Sequence, residues 1–120
     1  MVNNSLVIEL VEQRLHLSEV DIFCEKLKID RASFFNECSI YIAKKFQLRT
    51  LTYAEADAAI NSVSSLMTAD ASQQGDGFIF AEPAFSIYLA FDRGEYSLKG
   101  DIDPVEQYTR PLIFKILENL

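Results

Sequence analysis

At 120 residues the chain has the length of one domain, and a balance of 49% apolar to 24% charged residues is that of a packed globular domain, not of a disordered one. The formal net charge is −7, and it is unevenly spread: residues 1–50 carry seven acids and seven bases, residues 51–120 eleven acids and four bases. The whole excess therefore lies in the second half, where it repels nucleic acid and anionic membranes and attracts basic proteins.

Hydrophobic periodicity along the chain is mainly helical. Asn4 or Ser5 is suited to cap a first helix to about His16, with Leu6, Val7, Leu10, Val11 and Leu15 at helical spacing. Ser18 followed by Asp21 has the form of a capping box for a second helix, striped by Val20, Phe23, Cys24 and Leu27. Asp30 caps a third, to about Leu48, whose buried face is Phe34, Phe35, Cys38, Tyr41, Ile42 and Phe46. Lys44 and Lys45 fall near its C-terminus, where the helix dipole favours cations. Thr52 with Glu55 opens a fourth helix to about Met67, with small residues Ala56 and Ala59 among Ile60, Val63 and Met67 allowing close packing. The polar stretch from Thr68 to Gly77 reads as a loop.

Pro83 suits a helix start and Gly94 a helix end, so a helix is expected over 83–93. The alternation of Phe85, Ile87, Leu89 and Phe91 leaves a β-hairpin over 84–98, turning at Asp92-Arg93-Gly94, as the alternative. Asp103-Pro104 begins a last helical segment, which Pro111 is expected to break or kink near Thr109, with Thr109 recapping the piece through Leu120. The fold class expected is all-α: a single domain, residues 1–120, forming an irregular bundle of about six helices.

The first basic residue is Arg14 and the longest wholly apolar run is Ile87 to Phe91, far short of the roughly 20 residues that span a bilayer. No export signal is visible, and a cytoplasmic location is the expectation. Cys24 and Cys38 each fall among apolar residues of a helix and read as reduced core thiols. The only histidine is His16, placed near a helix end, so neither a zinc site nor a histidine-based triad has its parts. Gly75-Asp76-Gly77 starts a dinucleotide-binding pattern, but Phe80 stands where its third glycine belongs. Asp101 and Asp103 start a calcium-loop pattern, but Glu106 and Leu112 occupy its sixth and twelfth places. Nothing in the sequence implies a cofactor or a metal. A further alternative is an enzyme using carboxylates and a metal, in a concave site that joins Asp92 or Asp101 to acids elsewhere.

Residues 18–48 resemble a DNA-binding helix-turn-helix. Phe23, Cys24, Leu27, Ile29 and Phe34 occupy its buried positions, and Arg31, Ser33 and Asn36 would begin the reading helix. Lys28 stands at the usual turn glycine and Glu37 at an apolar position, and two capped amphipathic helices in series produce the same pattern. The segment remains an alternative, as a DNA-binding or adaptor module.

Near the C-terminus, IYLAFDRGEY (87–96) followed by DPVEQYTRPLI (103–113) resembles the tails of small bacterial proteins encoded beside toxins. In size and acidity the chain is similar to immunity proteins of the contact-dependent inhibition and colicin type. That resemblance implies a stoichiometric inhibitor that binds a basic toxin domain. The acids of this region, Asp92, Glu95, Asp101, Asp103 and Glu106, are the expected contact residues, with Tyr96 and Tyr108 as anchors, since tyrosine is enriched in binding hot spots.

Overall fold

The first helix, α1 (Asn4–Val11), is capped one residue earlier than expected: the Asn3 side chain accepts a hydrogen bond from Leu6 N at 3.1 Å. It also stops short of His16, because Gln13 turns the chain through a left-handed conformation (φ 56°), although Leu15 still reaches the core. The structure is a computed structural model, and it describes residues 2–96 and 103–120.

Helix α2 (Leu17–Leu27) starts from His16, whose backbone N–H donates to Glu19 Oε1 at 2.9 Å. The expected Ser18–Asp21 box is absent, because the Asp21 carboxylate is engaged by Arg31. Lys28 ends α2 in the left-handed region (φ 58°, ψ 46°), a conformation that glycine usually supplies. Helix α3 (Arg31–Gln47) is capped by Asp30, whose carboxylate accepts from Ser33 N at 2.8 Å, and carries Lys44 and Lys45 in its last turn, as expected. Helix α4 (Tyr53–Gln74) has the expected reciprocal box, Glu55 N to Thr52 Oγ1 at 3.1 Å and Thr52 N to Glu55 Oε1 at 2.9 Å.

Helix α4 runs past Met67 through most of the expected loop. The stretch from Thr68 to Gln74 is polar but has no glycine or proline to stop a helix. Its Asp70 is buried against Arg31, so a tertiary contact stabilises turns that hydrophobic periodicity does not mark. The helix ends at Gly75, which takes φ 83°.

Residues Ala84–Arg93 form α5, so the hairpin alternative fails there; its last positions, 97 and 98, lie outside the described residues. Two side chains satisfy donors at its start. Asn36 Oδ1 accepts from Ala84 N at 3.0 Å, and Glu82 Oε1 accepts from Ser86 N at 2.8 Å. Near Thr109 the helix is irregular, as expected, but it neither breaks nor is recapped there. A π-helical turn, Val105–Thr109, runs directly into α6 (Arg110–Glu118), and Thr109 itself is helical (φ −62°, ψ −53°). The wider π turn is the kind of local adjustment that fits a proline ring into a continuous helix. Thr109 Oγ1 caps nothing in its own segment; it donates to Ala90 O at 2.7 Å.

The described residues thus hold six α-helices, one π turn and no strand. Helix α3 is central, packing on α2, α4, α5 and α6, while α1 lies against α4. Phe34, Phe35, Ile42 and Phe46 of α3 are fully buried, and each contributes about 1.5–3 kcal/mol relative to exposure. Ala56 and Ala59 are buried on the facing stripe of α4, as their small size predicts. Phe46, Tyr53 and Phe91 join α3, α4 and α5 in a ring cluster with centroids 5.0 to 6.3 Å apart. Cys24 and Cys38 are unpaired and buried. No helix among the described residues is long and apolar enough to cross a membrane.

Candidate protein-binding site

The last turn of α5 is where the expected contact residues begin, and it is held from two sides. Tyr53 of α4 donates its hydroxyl proton to Phe91 O at 2.6 Å, and Thr109 donates to the neighbouring Ala90 O. Two carbonyls near the helix end thereby gain partners from other elements. The contact leaves no space at Gly94: a Cβ there would lie 2.5 Å from Thr109 Oγ1 and 2.9 Å from the Tyr53 hydroxyl. Gly94 has an ordinary right-handed backbone (φ −74°), so glycine is required by proximity and not by its dihedral angles.

This packing sets three carboxylates together. Asp57 lies one turn beyond Tyr53 on α4 and interacts with Asp92 and Glu95 at the end of α5. Asp57 is half-buried; its Oδ2 accepts from Asn61 Nδ2 at 3.3 Å, while its Oδ1 is buried with no partner among the described residues. Burial pushes the Asp57 carboxyl above the usual range, and the negative charge of Asp92 adds to this. Partial burial raises Glu95 too, reinforced by the charges of Asp57 and Asp92. Burial, and then the charge of Asp57, makes the Tyr53 hydroxyl still harder to ionise. Among the described residues, no lysine, arginine or histidine forms an ion pair with Asp57, Asp92 or Glu95. Among the described residues the cluster is thus three carboxylates with no ion-paired base.

The other expected contact residues are placed differently. Tyr96 is 61% exposed, just beyond α5. Tyr108 is half-buried, with the Arg93 guanidinium 5.0 Å above its ring. Asp103 is exposed, and its Oδ1 accepts from Val105 N at 3.1 Å, which satisfies a donor of the π turn. Glu106 is already bound within the protein, to Arg110 at 2.6 Å and Arg49 at 3.2 Å, and chiefly the Arg110 hydrogen bond lowers its carboxyl. Asp101 lies outside the described residues. Asp57 is the site residue that the sequence reading missed; the available signal was its place one helical turn after Tyr53, beside the buried stripe.

The helix-turn-helix-like segment is built into the bundle. Arg31 makes a two-pronged contact with Asp21, 2.7 Å on each side, and its remaining nitrogen reaches Asp70 at 2.9 Å and Gln73 at 2.8 Å. The Asn36 side chain is occupied by α5, and α3 is covered by four neighbouring helices. These contacts weigh against insertion of α3 into a DNA groove, which requires a projecting helix with free side chains. Among the described residues, no group of three or more histidines, cysteines, aspartates or glutamates is arranged to hold a metal ion.

The architecture that emerges is an all-α bundle with an anionic cluster where α4 meets the end of α5. Compared with models of protein families, with curated proteins and with solved structures, the chain matches none.

Proposed function

We propose that this protein is a stoichiometric inhibitor of the immunity-protein kind, which neutralises a basic bacterial toxin domain by covering its active site. The observation that supports this most is the cluster of Asp57, Asp92 and Glu95, held together by packing with no described base to compensate it. A lysine or arginine of the toxin would enter the cluster, relieve the repulsion among the carboxylates and supply the partner that Asp57 lacks. Tyr96 and Tyr108 flank the region as aromatic contacts, and Asp103 extends the negative field. Toxins that cut nucleic acid carry cationic surfaces for the phosphate backbone, so an anionic inhibitor would compete for the same groups.

The test is co-expression with the C-terminal domain of the protein encoded beside this one. Protection of growth by the wild-type chain, lost when Asp57→Asn, Asp92→Asn and Glu95→Gln are combined, is the expected result. Equal protection by wild type and variant would remove the cluster from the interface. A neighbouring domain that is harmless when expressed alone would overturn the toxin-inhibitor function.

A further inference from the structure

Helix α2 is attached to the bundle more lightly than its neighbour α3. Of its eleven side chains Val20 and Cys24 are buried, whereas α3 buries seven of seventeen, Phe34 and Phe35 among them. Phe23 stacks on Phe34 with ring centroids 5.9 Å apart but is only partly buried, and Ile22 is 65% exposed. At the start of α2 the packing is open: a cleft of about 280 Å³ lies between Gln13, His16 and Leu17 on one side and Ser62, Ser65 and Ala69 of α4 on the other.

The backbone bends in the same way on either side of α2. Among the described residues three non-glycine residues take the left-handed conformation, and two of them, Gln13 (φ 56°) and Lys28 (φ 58°), bracket this helix. A Cβ is unfavourable in that region, so movement of the helix about these points relieves backbone strain. The polar tie across α2 joins Asp21 to Arg31, with two contacts of 2.7 Å, and it can part without leaving a buried charge behind. The Asp21 side chain is half exposed and is solvated when released. Arg31 keeps Asp70 and Gln73 of α4, so buried Asp70 retains its base. We propose that α2 is a hinged flap: it swings away from α3 and α4 as a unit about Gln13 and Lys28, unlatches between Asp21 and Arg31, and uncovers Phe34 while the rest of the bundle stays folded.

Such a flap makes the Phe34 face conditional: it is covered in the closed majority and apolar and accessible in the open minority. The opposite case is a domain in which α2 parts from α3 only when the whole chain unfolds. The device stands apart from the proposed inhibitor function. On α4 the latch residue Asp70 lies thirteen positions beyond Asp57, about 20 Å along the helix axis, and no toxin is needed to observe the opening.

The test is native-state hydrogen exchange of the full chain in rising, sub-denaturing urea. Amides of residues 23–27 should be protected about tenfold less, or weaker still, than those of residues 38–46 of α3, with a shallower dependence on urea because a flap exposes little surface. Asp21→Ala should lower the protection of the α2 amides about threefold to fivefold, the effect of one exposed ion pair. Gly94→Ala, far from the latch, should lower the protection of the α3 amides about fivefold or more and leave that of α2 unchanged, because the Gly94 contact persists while the flap is open. Thr109→Ala serves in its place if Gly94→Ala misfolds. Protection and urea dependence of α2 equal to those of α3, an equal loss in both helices on Gly94→Ala, or unchanged α2 exchange in Asp21→Ala overturns the proposal.

Discussion

Replacing Arg31 by alanine should be among the most damaging single changes to a charged residue in this protein. Its guanidinium joins α2, α3 and α4 through Asp21, Asp70 and Gln73. The two carboxylates respond differently to its loss. The Asp21 side chain is half exposed (51%), and water can replace the arginine around it. Asp70 is 4% exposed; without Arg31 it keeps only the 3.3 Å hydrogen bond from Gln74 Nε2. Removing one partner of a buried pair costs about 3–5 kcal/mol. Arg31 itself keeps 22% of its side chain in water, so the lower end, about 3 kcal/mol, applies. For a domain of this size that lowers Tm by roughly 10 °C. Urea unfolding and thermal melts of Arg31→Ala, Asp21→Ala and the double variant Arg31→Met with Asp70→Leu measure it. The order expected is a large loss for Arg31→Ala, a much smaller loss for Asp21→Ala, and recovery of most stability in the double variant, which leaves no buried charge. Equal losses for Arg31→Ala and Asp21→Ala would refute the assignment of the cost to buried Asp70.

Three further outcomes are expected. Gly94→Ala should cost about 1–3 kcal/mol through overpacking, since its Cβ would press on Thr109 and Tyr53; an unchanged melting curve would show that α5 and the π turn separate easily. Binding of a cationic partner should weaken as pH falls. Asp57 and Glu95 sit above the usual carboxylate range in the free protein, while a bound cation favours their charged forms, so binding releases protons and is lost as pH drops through those raised values. Calorimetry in two buffers of different ionisation enthalpy reads the release directly, and Asp57→Asn with Glu95→Gln should flatten the pH profile. Burial pushes the Cys38 thiol up to about 12, so it should stay unmodified by a thiol reagent in the native state at neutral pH and react after unfolding; rapid native labelling at Cys38 would contradict its burial.

The helices that could be read from the sequence are those whose ends are marked by local chemistry. Asp30 and the Thr52–Glu55 pair act on donors three residues away, and the structure contains both caps where they were expected. The misplaced boundaries depend on distant partners. Asp21 looks like half of a capping box, but a bidentate arginine ten residues later outcompetes a backbone donor for it. The extra turns of α4 depend on the same arginine through Asp70. Pro111 predicts a break or a kink from its missing N–H; the chain widens into a π turn and carries the helix through. For Asp21 and for the end of α4 the decisive partner lies outside the window that a periodicity argument can cover.

The candidate site shows the same limit in its electrostatics. Dividing the chain at residue 50 assigns every excess acid to the second half, but charges are compensated in space. Arg31 and Arg49 belong to the balanced first half, and the structure spends them on Asp70 and Glu106 of the acidic second half. Glu106, chosen from sequence as a contact residue, is therefore already engaged by two arginines. Asp57, by contrast, has one carboxylate oxygen buried without a described partner. What makes an acid available to a partner is the absence of an internal base near it, a property of the folded arrangement. That criterion removes Asp70 and Glu106, and burial together with mutual repulsion then sets Asp57 and Glu95, beside Asp92, apart from the other acids.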